Sequence, residues 1–315
     1  MEKQHGYLLA QRGQPSGSLS LLAPIGIAEY SENFSFHSKK LSKDLIKIQS
    51  EEDEGVFRAK LLNVLKKTLT EVKSKLAENL YNNYDGAVYV GTHAMIMDQL
   101  ISTIQRMILS RHYKKNTKKI FGLSILAVGG YGRGELAPHS DIDLLFLYQK
   151  DQLTKHQPVI EYILYLLWDL GLKVGHATRT SDQCLEAAND DITIMTALLE
   201  IRYIEGDEKL FENFEKRLRS WISEKPVSYF VTEKLRERDS RHKLHGATRY
   251  MVEPQIKEGK GGLRDLHTLF WIAKFAYKVR SVEEVIELGI LRVSEAKIFA
   301  ASQRFLWTVR CFLHL

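Results

Sequence analysis

The sequence predicts an α+β protein in which a small mixed β-sheet lies between N-terminal helices and a C-terminal helical domain. Two apolar runs within residues 124–148 flank a polar turn that contains glycines, a pattern typical of strand, turn and strand. Before this segment and after residue 205, apolar residues recur at spacings of three and four, as in amphipathic helices. We therefore expect an N-terminal arm with helices at 1–110, a core at 111–205 and a helical domain at 206–315.

The N-terminal part is predicted to begin with an irregular arm, because residues 1–50 carry Gly, Ser, Pro and scattered charges without a steady period. Amphipathic helices are predicted at 57–80 and around 95–108, where apolar residues recur at helical spacing. The basic run at 111–119 is either a solvated linker or a surface for an acidic protein substrate.

The core segment, SILAVGGYGRGELAPHSDIDLLFLY, carries the candidate chemistry. Asp141 and Asp143 open its second apolar run, and alternation along a strand places both carboxylates on one face. Such a pair repels itself unless a cation lies between the carboxylates, and Mg²⁺ prefers carboxylate and phosphate oxygens. Gly129 and Gly130 let the backbone approach a polyphosphate, and Arg133 adds a planar cation that suits phosphate. The combination predicts metal-assisted nucleotidyl transfer, although each feature alone is typical of an ordinary turn or strand end.

The rest of the core is predicted to contain a buried helix at 159–170, because this run is apolar nearly all round. Gly171 is placed to cap that helix, and 172–178, LKVGHAT, is predicted as a strand beside the one that carries the aspartates. From Asp191 to a break at Gly206 the chain is predicted to be helical. Further helices are predicted at 210–222, from Pro226 to residue 241, and at 295–315.

A second glycine-rich block, EPQIKEGKGGLRDL at 253–266, precedes a strongly apolar helix. Glycine-rich backbone at a helix N-terminus offers free N–H groups to an anion. Asp265 is alternatively the N-cap of that helix. The basic cluster at 236–243 either flanks a nucleotide cleft or forms a solvated helical face.

Composition narrows the class of protein. The 315 residues include 44% hydrophobic and 27% charged residues, as in ordinary globular proteins, and the net charge of +6 suits a nucleoside triphosphate or an acidic partner but does not argue for nucleic acid. Cys184 and Cys311 lie far apart, so no disulfide framework or zinc site is indicated. No apolar run reaches the roughly 20 residues of a membrane helix, and Pro24 and Gly26 argue against a signal peptide. We expect a cytoplasmic protein that binds neither nucleic acid nor membranes.

The two blocks together resemble a known family. Gly129-Gly130, YGRGEL and SDIDLL resemble the signature of the DNA polymerase β-like nucleotidyltransferase superfamily. More narrowly, these motifs and the second block resemble the PII uridylyltransferase/uridylyl-removing enzymes of bacterial nitrogen regulation. This resemblance implies a small nucleotidyltransferase core that moves UMP from UTP to a tyrosine of the PII signalling protein and releases pyrophosphate. It implies two Mg²⁺ ions held by Asp141 and Asp143, and phosphate contacts from Gly129, Gly130, Arg133 and Ser140. Lys257 and Arg264 are the further contacts it suggests, either to the triphosphate or to the acceptor protein.

The sequence also departs from the family pattern. The superfamily commonly has a third carboxylate on a neighbouring strand, whereas LKVGHAT offers none, so that position is open to His176, to water, or to Glu200 or Asp265. No His-Asp dipeptide of the family's hydrolase occurs, and the resemblance implies that the hydrolase and paired ACT domains are absent. Two rivals stay open: a glutamine synthetase adenylyltransferase-like enzyme, which the YGRGEL and SDIDLL wording disfavours, and a non-catalytic nucleotide sensor. An RNA nucleotidyltransferase is disfavoured because no aromatic and basic stacking platform is evident.

Overall fold

The computed structural model describes residues 39–112, 121–244, 255–279 and 282–315. Within these ranges the chain forms helices before, around and after a single β-sheet, which confirms the predicted fold class. The elements are α1 (Lys39–Gln49), α2 (Glu54–Asn83), α3 (Gly86–His112), β1 (Leu123–Ala127), α4 (Gly129–Gly132), β2 (Ile142–Tyr148), α5 (Leu153–Asp169), β3 (Val174–Arg179), α6 (Ser181–Asp190), α7 (Ile192–Leu198), β4 (Arg202–Gly206), α8 (Glu208–Ser223), α9 (Val227–Leu244), α10 (Leu263–Tyr277), α11 (Val282–Glu287) and α12 (Val293–His314). In the part of the chain that the structure describes, no helix combines the length and apolarity needed to cross a bilayer.

The sheet is mixed and has the strand order β3-β2-β1-β4. β1 is antiparallel to both β2 and β4, and β2 is parallel to β3. Alternation along β2 divides its side chains between two cores. Leu144 and Phe146 face a first core with α2, α3 and α5, whereas Leu145 and Leu147 face a second core with residues of α6 to α10. Asp143 has the same parity as Leu145, so its side chain lies on the face of the second core.

The N-terminal helices cover the first core. The inward residues of α2 recur at spacings of three and four, and the N-cap Asp53 accepts a hydrogen bond from the Val56 amide at 2.8 Å. The expected irregular arm is wrong for residues 39–49, because they form α1, which buries Leu41 and Ile48 in the first core. Residues 1–38 of the arm, and the basic run from residue 113, lie outside the described residues.

The helix α5 ends as predicted. Gly171 adopts a φ of +76°, and its N–H donates to the Trp168 carbonyl at 2.8 Å. The Leu172 N–H donates to the Leu167 carbonyl at 3.1 Å, so these two bonds form a Schellman cap. The cap turns the chain directly into β3, which confirms the predicted strand beside β2.

The prediction of an uninterrupted helical segment from Asp191 to Gly206 is wrong. α7 ends at Leu198, and Arg202–Gly206 forms the edge strand β4 against β1. The apolar periodicity of this segment suits either state, and pairing with β1 decides the outcome.

The C-terminal helices return to the N-terminal ones. Trp307 and Cys311 of α12 belong to the first core, and the Gly86 amide at the start of α3 donates to Thr308 Oγ1 at 2.9 Å. A Cβ at Gly86 would lie 2.3 Å from the Thr308 backbone nitrogen, so only glycine permits this approach of the two helices. The domain boundaries at 110 and 205 stay a prediction.

Candidate active site

The first glycine motif forms a short helical turn at the end of β1. Gly129 opens α4 with a φ of +59°, a conformation that a residue with a Cβ rarely adopts. The Val128 N–H donates to the Asp143 carbonyl at 3.1 Å, which holds the turn against the start of β2. A Cβ at Gly129 would lie 3.3 Å from Asp143 Oδ2. The bare backbone of the turn therefore faces the carboxylate of Asp143.

Arg202 of β4 stabilises the backbone of the glycine turn. Its guanidinium donates to the carbonyls of Tyr131 at 3.1 Å and Gly132 at 3.3 Å, and it pairs with Asp98 of α3 at 2.6 Å. The Tyr131 hydroxyl donates to the same Asp98 carboxylate at 2.6 Å. These buried contacts fix the backbone of the glycine turn before any ligand binds.

The two aspartates lie at the head of β2. Asp143 is half-buried between Gly129 and Gly175, and a Cβ at Gly175 would lie 2.5 Å from Asp143 Oδ1. Burial and the negative charge of Asp141 raise the pKa of Asp143. Among the residues that the structure describes, neither carboxylate has a salt bridge or a side-chain hydrogen bond. The site therefore holds two interacting negative charges that no described side chain contacts as a direct ion-pair partner.

The second block lies beside this pair. The positive charges of Lys257 and Arg133 act on Asp143 and offset part of the rise in its pKa. Two motifs that are far apart in the sequence thus lie close enough for their charges to interact.

The glycines of the second block do not offer the free N–H groups that the sequence suggested. The amides of Gly259, Gly262 and Leu263 all donate to carbonyls within the block, at 2.9 to 3.0 Å. The Gly261 amide donates to Asp265 Oδ2 at 2.8 Å. Asp265 is also not the N-cap of α10, because Gly262 occupies that position. The block therefore contributes charged side chains rather than an amide cradle.

A buried network connects Arg133 to the C-terminal helices. Arg133 Nε donates to Glu135 at 2.7 Å, and Gln303 of α12 donates to the other oxygen of Glu135 at 2.8 Å. Burial alone would raise the pKa of Glu135, but the charges and hydrogen bonds around it, led by Arg133, lower that pKa to about 2. His267 Nε2 lies 3.2 Å from Glu135, and its Nδ1 lies 3.4 Å from Arg133 Nη2. These partners assign a proton to Nε2 of a neutral imidazole, in agreement with burial lowering the pKa of His267 to about 4.

None of the three side chains suggested for the third carboxylate position joins the pair. His176 is exposed on the opposite face of the sheet and contacts Trp168, with ring centroids 5.9 Å apart. Glu200 is buried in an ion pair with Lys274 at 2.6 Å. Asp265 pairs with Arg241 and with His242. Among the described residues, these candidates leave the third ligand position to water and substrate oxygens.

Of the remaining candidates, Ser140 immediately precedes the aspartates, and its amide closes a turn onto the Ala137 carbonyl at 3.2 Å. The basic cluster at 236–243 divides between two environments. Arg236 and Arg238 form exposed pairs with neighbouring acids, whereas Arg241 is buried and lies 3.8 Å from Glu258 of the second block.

The chemistry of the carboxylate pair fits Mg²⁺. Across the described residues, no three His, Cys, Asp or Glu side chains converge on one point, as a site with all its ligands from protein would require. Mg²⁺ rarely uses such a site and instead combines one or two carboxylates with water and phosphate oxygens. Gly129 and Gly175 leave open the space beside Asp143 that a Cβ would otherwise fill. Asp141 and Asp143 are therefore the residues that would hold the metal.

Several residues of the site were not predicted from the sequence. Gly175 had a usable signal, because glycine inside a strand often marks a close approach of another group. Glu135, His267 and Gln303 had none, since their roles arise only when the loop after α4 meets α10 and α12.

Comparison with known proteins agrees with this geometry. A family model described as a nucleotidyltransferase domain matches residues 109–198, which include both aspartates and the glycine turn. A second model, described as GlnD PII-uridylyltransferase, matches residues 229–315. The chain is also 44% identical over 264 residues to a protein of Rhodospirillum rubrum named bifunctional uridylyltransferase/uridylyl-removing enzyme.

Fold and site thus define a protein with a nucleotidyltransferase domain. The chain belongs to the PII-uridylyltransferase family. The match covers 83% of this chain but 28% of the length of the Rhodospirillum protein.

Proposed function

We propose that this chain transfers UMP from UTP to a tyrosine hydroxyl of a PII signalling protein and releases pyrophosphate. The observation that carries the proposal is the position of Asp143, half-buried between two glycines and close to Asp141, within a domain of the nucleotidyltransferase family. The choice of uridylyl group and PII acceptor is supported by the named relative and by the second family model.

The reaction breaks the bond between the α-phosphorus and the oxygen that bridges to the β-phosphate, and it forms a bond from the tyrosine oxygen to the α-phosphorus. The tyrosine proton passes to solvent, and pyrophosphate leaves. Mg²⁺ bound by Asp141 and Asp143, two ions by family resemblance, would supply Lewis-acid stabilisation of the charge on the acceptor and on the phosphates.

The protein supplies position and charge. The turn of Gly129 and Gly130 would hold phosphate oxygens, with Ser140 beside the carboxylates. Arg133 keeps its guanidinium in one orientation through Glu135 and His267, and its Nη2 lies 3.7 Å from where a Cβ of Gly130 would be. Such a preorganised donor at the glycine turn is suited to the phosphates of a bound nucleotide.

The proposed setting is the cytoplasm, with UTP and PII as partners and without nucleic acid. Cys184 and Cys311 are both buried free thiols, which suits a reducing compartment.

A nucleotide sensor without turnover is the second candidate, and one observation favours it: among the described residues no third acid joins the aspartate pair. A sensor would bind UTP without consuming it. An adenylyltransferase would instead use ATP and glutamine synthetase.

The test is a transfer assay of the chain with UTP or ATP labelled at the α-phosphate, Mg²⁺, and PII or glutamine synthetase as the acceptor. We expect label on PII from UTP only. We expect Asp143→Asn to lower the rate at least about a thousandfold, because losing metal-based charge stabilisation costs several kcal/mol. Asp182→Asn is the matched control, since Asp182 is an exposed acid that pairs only with Arg217 in the described residues. Full transfer by the Asp143 variant, or label from ATP on glutamine synthetase, would refute the proposal.

A further inference from the structure

The charges around Glu258 are unbalanced. Glu258 Oε1 lies 3.5 Å from Lys257 Nζ and 3.2 Å from Arg264 Nη2. Its Oε2 also lies 3.8 Å from Arg241 Nε, so one carboxylate faces three cations. Arg310 of α12 stands close enough for its charge to act on Lys257 and on Glu258. Among the described residues Arg310 has no salt bridge of its own. The cluster of Lys257, Arg264 and Arg310 therefore carries more positive charge than its acid neutralises.

This excess is unfavourable in the free protein. Burial lowers the pKa of Lys257, and the neighbouring charges of Arg264 and Arg310 lower it further. Burial also lowers the pKa of Arg310. Half-buried cations that repel each other are stabilised when a multivalent anion lies among them.

Two aromatic rings hold the guanidinium groups of the cluster. The Arg264 guanidinium lies 5.5 Å from the centre of the Trp271 ring, and Arg133 lies 5.7 Å from the same ring. The Arg310 guanidinium lies 5.2 Å from the centre of the Trp307 ring. These cation–π contacts restrict the side chains, so they offer phosphate a prepared set of donors.

Lys257 of the cluster also lies close enough to the aspartate pair for its charge to act on Asp143. The amides of the three glycines of the block donate within the block, so its charged side chains are the groups that we assign to a ligand. In nucleotidyl transfer the departing pyrophosphate gains negative charge, and cations beside it stabilise the transition state.

We propose that Lys257, Arg264 and Arg310 form the subsite for the β- and γ-phosphates of the nucleotide, and thus for the pyrophosphate product. The assignment rests on the proposed nucleotidyl transfer for its role in the reaction. Of the two partners considered for Lys257 and Arg264, this proposal chooses the triphosphate and not the acceptor protein.

The test measures binding rather than turnover. Equilibrium dialysis with the α,β-methylene analogue of UTP, and separately with UMP, would compare the wild-type chain with Lys257→Gln and Arg310→Gln in the presence of Mg²⁺. We expect each variant to bind the analogue about ten- to a hundredfold more weakly, as for the loss of one charged hydrogen bond, and to bind UMP within about twofold of wild type. Lys260→Gln is the matched control, because Lys260 is an exposed lysine of the same block.

Two results would overturn the subsite. One is unchanged binding of the analogue by both variants, and the other is a loss of affinity that is equally large for the analogue and for UMP. The transfer assay separates this inference from the proposed function. If the variants lose affinity for the analogue alone while the wild-type chain transfers no UMP, the subsite is supported and the proposed function is refuted. Normal analogue binding by both variants, in a chain that does transfer UMP, would refute the subsite alone.

Discussion

Replacing Gly175 by alanine tests whether the exact position of the Asp143 carboxylate matters. Gly175 lies directly opposite Asp143 in the parallel pairing of β2 and β3. The new Cβ would lie 2.5 Å from Asp143 Oδ1, whereas ordinary contacts begin at 3.4 Å. The carboxylate must therefore move by about 0.9 Å, and a shift of about 1 Å in a reacting group can cost about a hundredfold in rate.

The fold should tolerate this change, because the contacted atom is the end of a side chain and the φ of Gly175 is not in the left-handed region. We expect kcat/KM for transfer from labelled UTP to PII to fall about a hundredfold, or about 2.7 kcal/mol, with a higher Mg²⁺ requirement. Thermal unfolding should be nearly unchanged.

Gly171→Ala is the matched control. Its Cβ would meet nothing within 4 Å, but the φ of +76° strains any residue with a side chain. This variant should lose about 1 kcal/mol of stability and keep its activity. Full activity of Gly175→Ala at ordinary Mg²⁺ concentrations would show that the carboxylate position does not govern the reaction.

Three further predictions concern stability and pH. Asp143→Asn should raise the unfolding free energy of the metal-free chain at neutral pH, because burial and Asp141 raise the pKa of Asp143. This gain in stability should vanish as the pH falls below 3.8, the ordinary pKa of an aspartate. An unchanged melting temperature at pH 7 would contradict the prediction. Glu135→Gln should cost about 3 kcal/mol in urea unfolding at pH 7, since it leaves the largely buried Arg133 without its charged partner. Because the folded pKa of Glu135 is about 2, against an ordinary 4.5, that cost should persist above pH 4.5 and disappear as the pH falls through 2; a cost that does not change with pH would contradict the charge of Glu135 as its cause. His267, with a folded pKa of about 4 against 6.5, should make the wild-type chain lose stability as the pH falls from 6.5 through 4, and His267→Gln should flatten this part of the curve measured by urea unfolding.

The sequence predicts the local elements of this fold where the pattern is long or chemically distinct. The helical spacing that predicts α2 and the glycine that caps α5 are both local features of the sequence. The helix α2 and the cap of α5 could therefore be predicted. The strand β4 could not be predicted, because its five residues become a strand by pairing with β1, and local periodicity does not encode that pairing. Residues 39–49 look irregular in sequence and become helical by packing on α2 and α3.

The candidate site shows the same division. Asp141, Asp143 and the glycine turn are neighbours in sequence, so strand alternation suffices to predict that they face one ligand. The contribution of Lys257 to the electrostatics of Asp143 depends on where α10 packs, and local sequence cannot state it. The family resemblance suggested Lys257 and Arg264 without separating a phosphate from a protein partner. Arg310 carried no signal, because the charges of the second block act on it only after α12 packs beside that block.

Asp141, Asp143 and the glycine turn are proposed to hold a metal-bound nucleotide together. A crystal structure of the chain with Mn²⁺ and the α,β-methylene analogue of UTP tests it directly, since anomalous scattering locates the metal. We predict Mn²⁺ bound by oxygens of both Asp141 and Asp143, with the phosphates over Gly129 and Gly130. Metal bound elsewhere, or phosphates bound away from that turn, would contradict this role of the two aspartates and the turn.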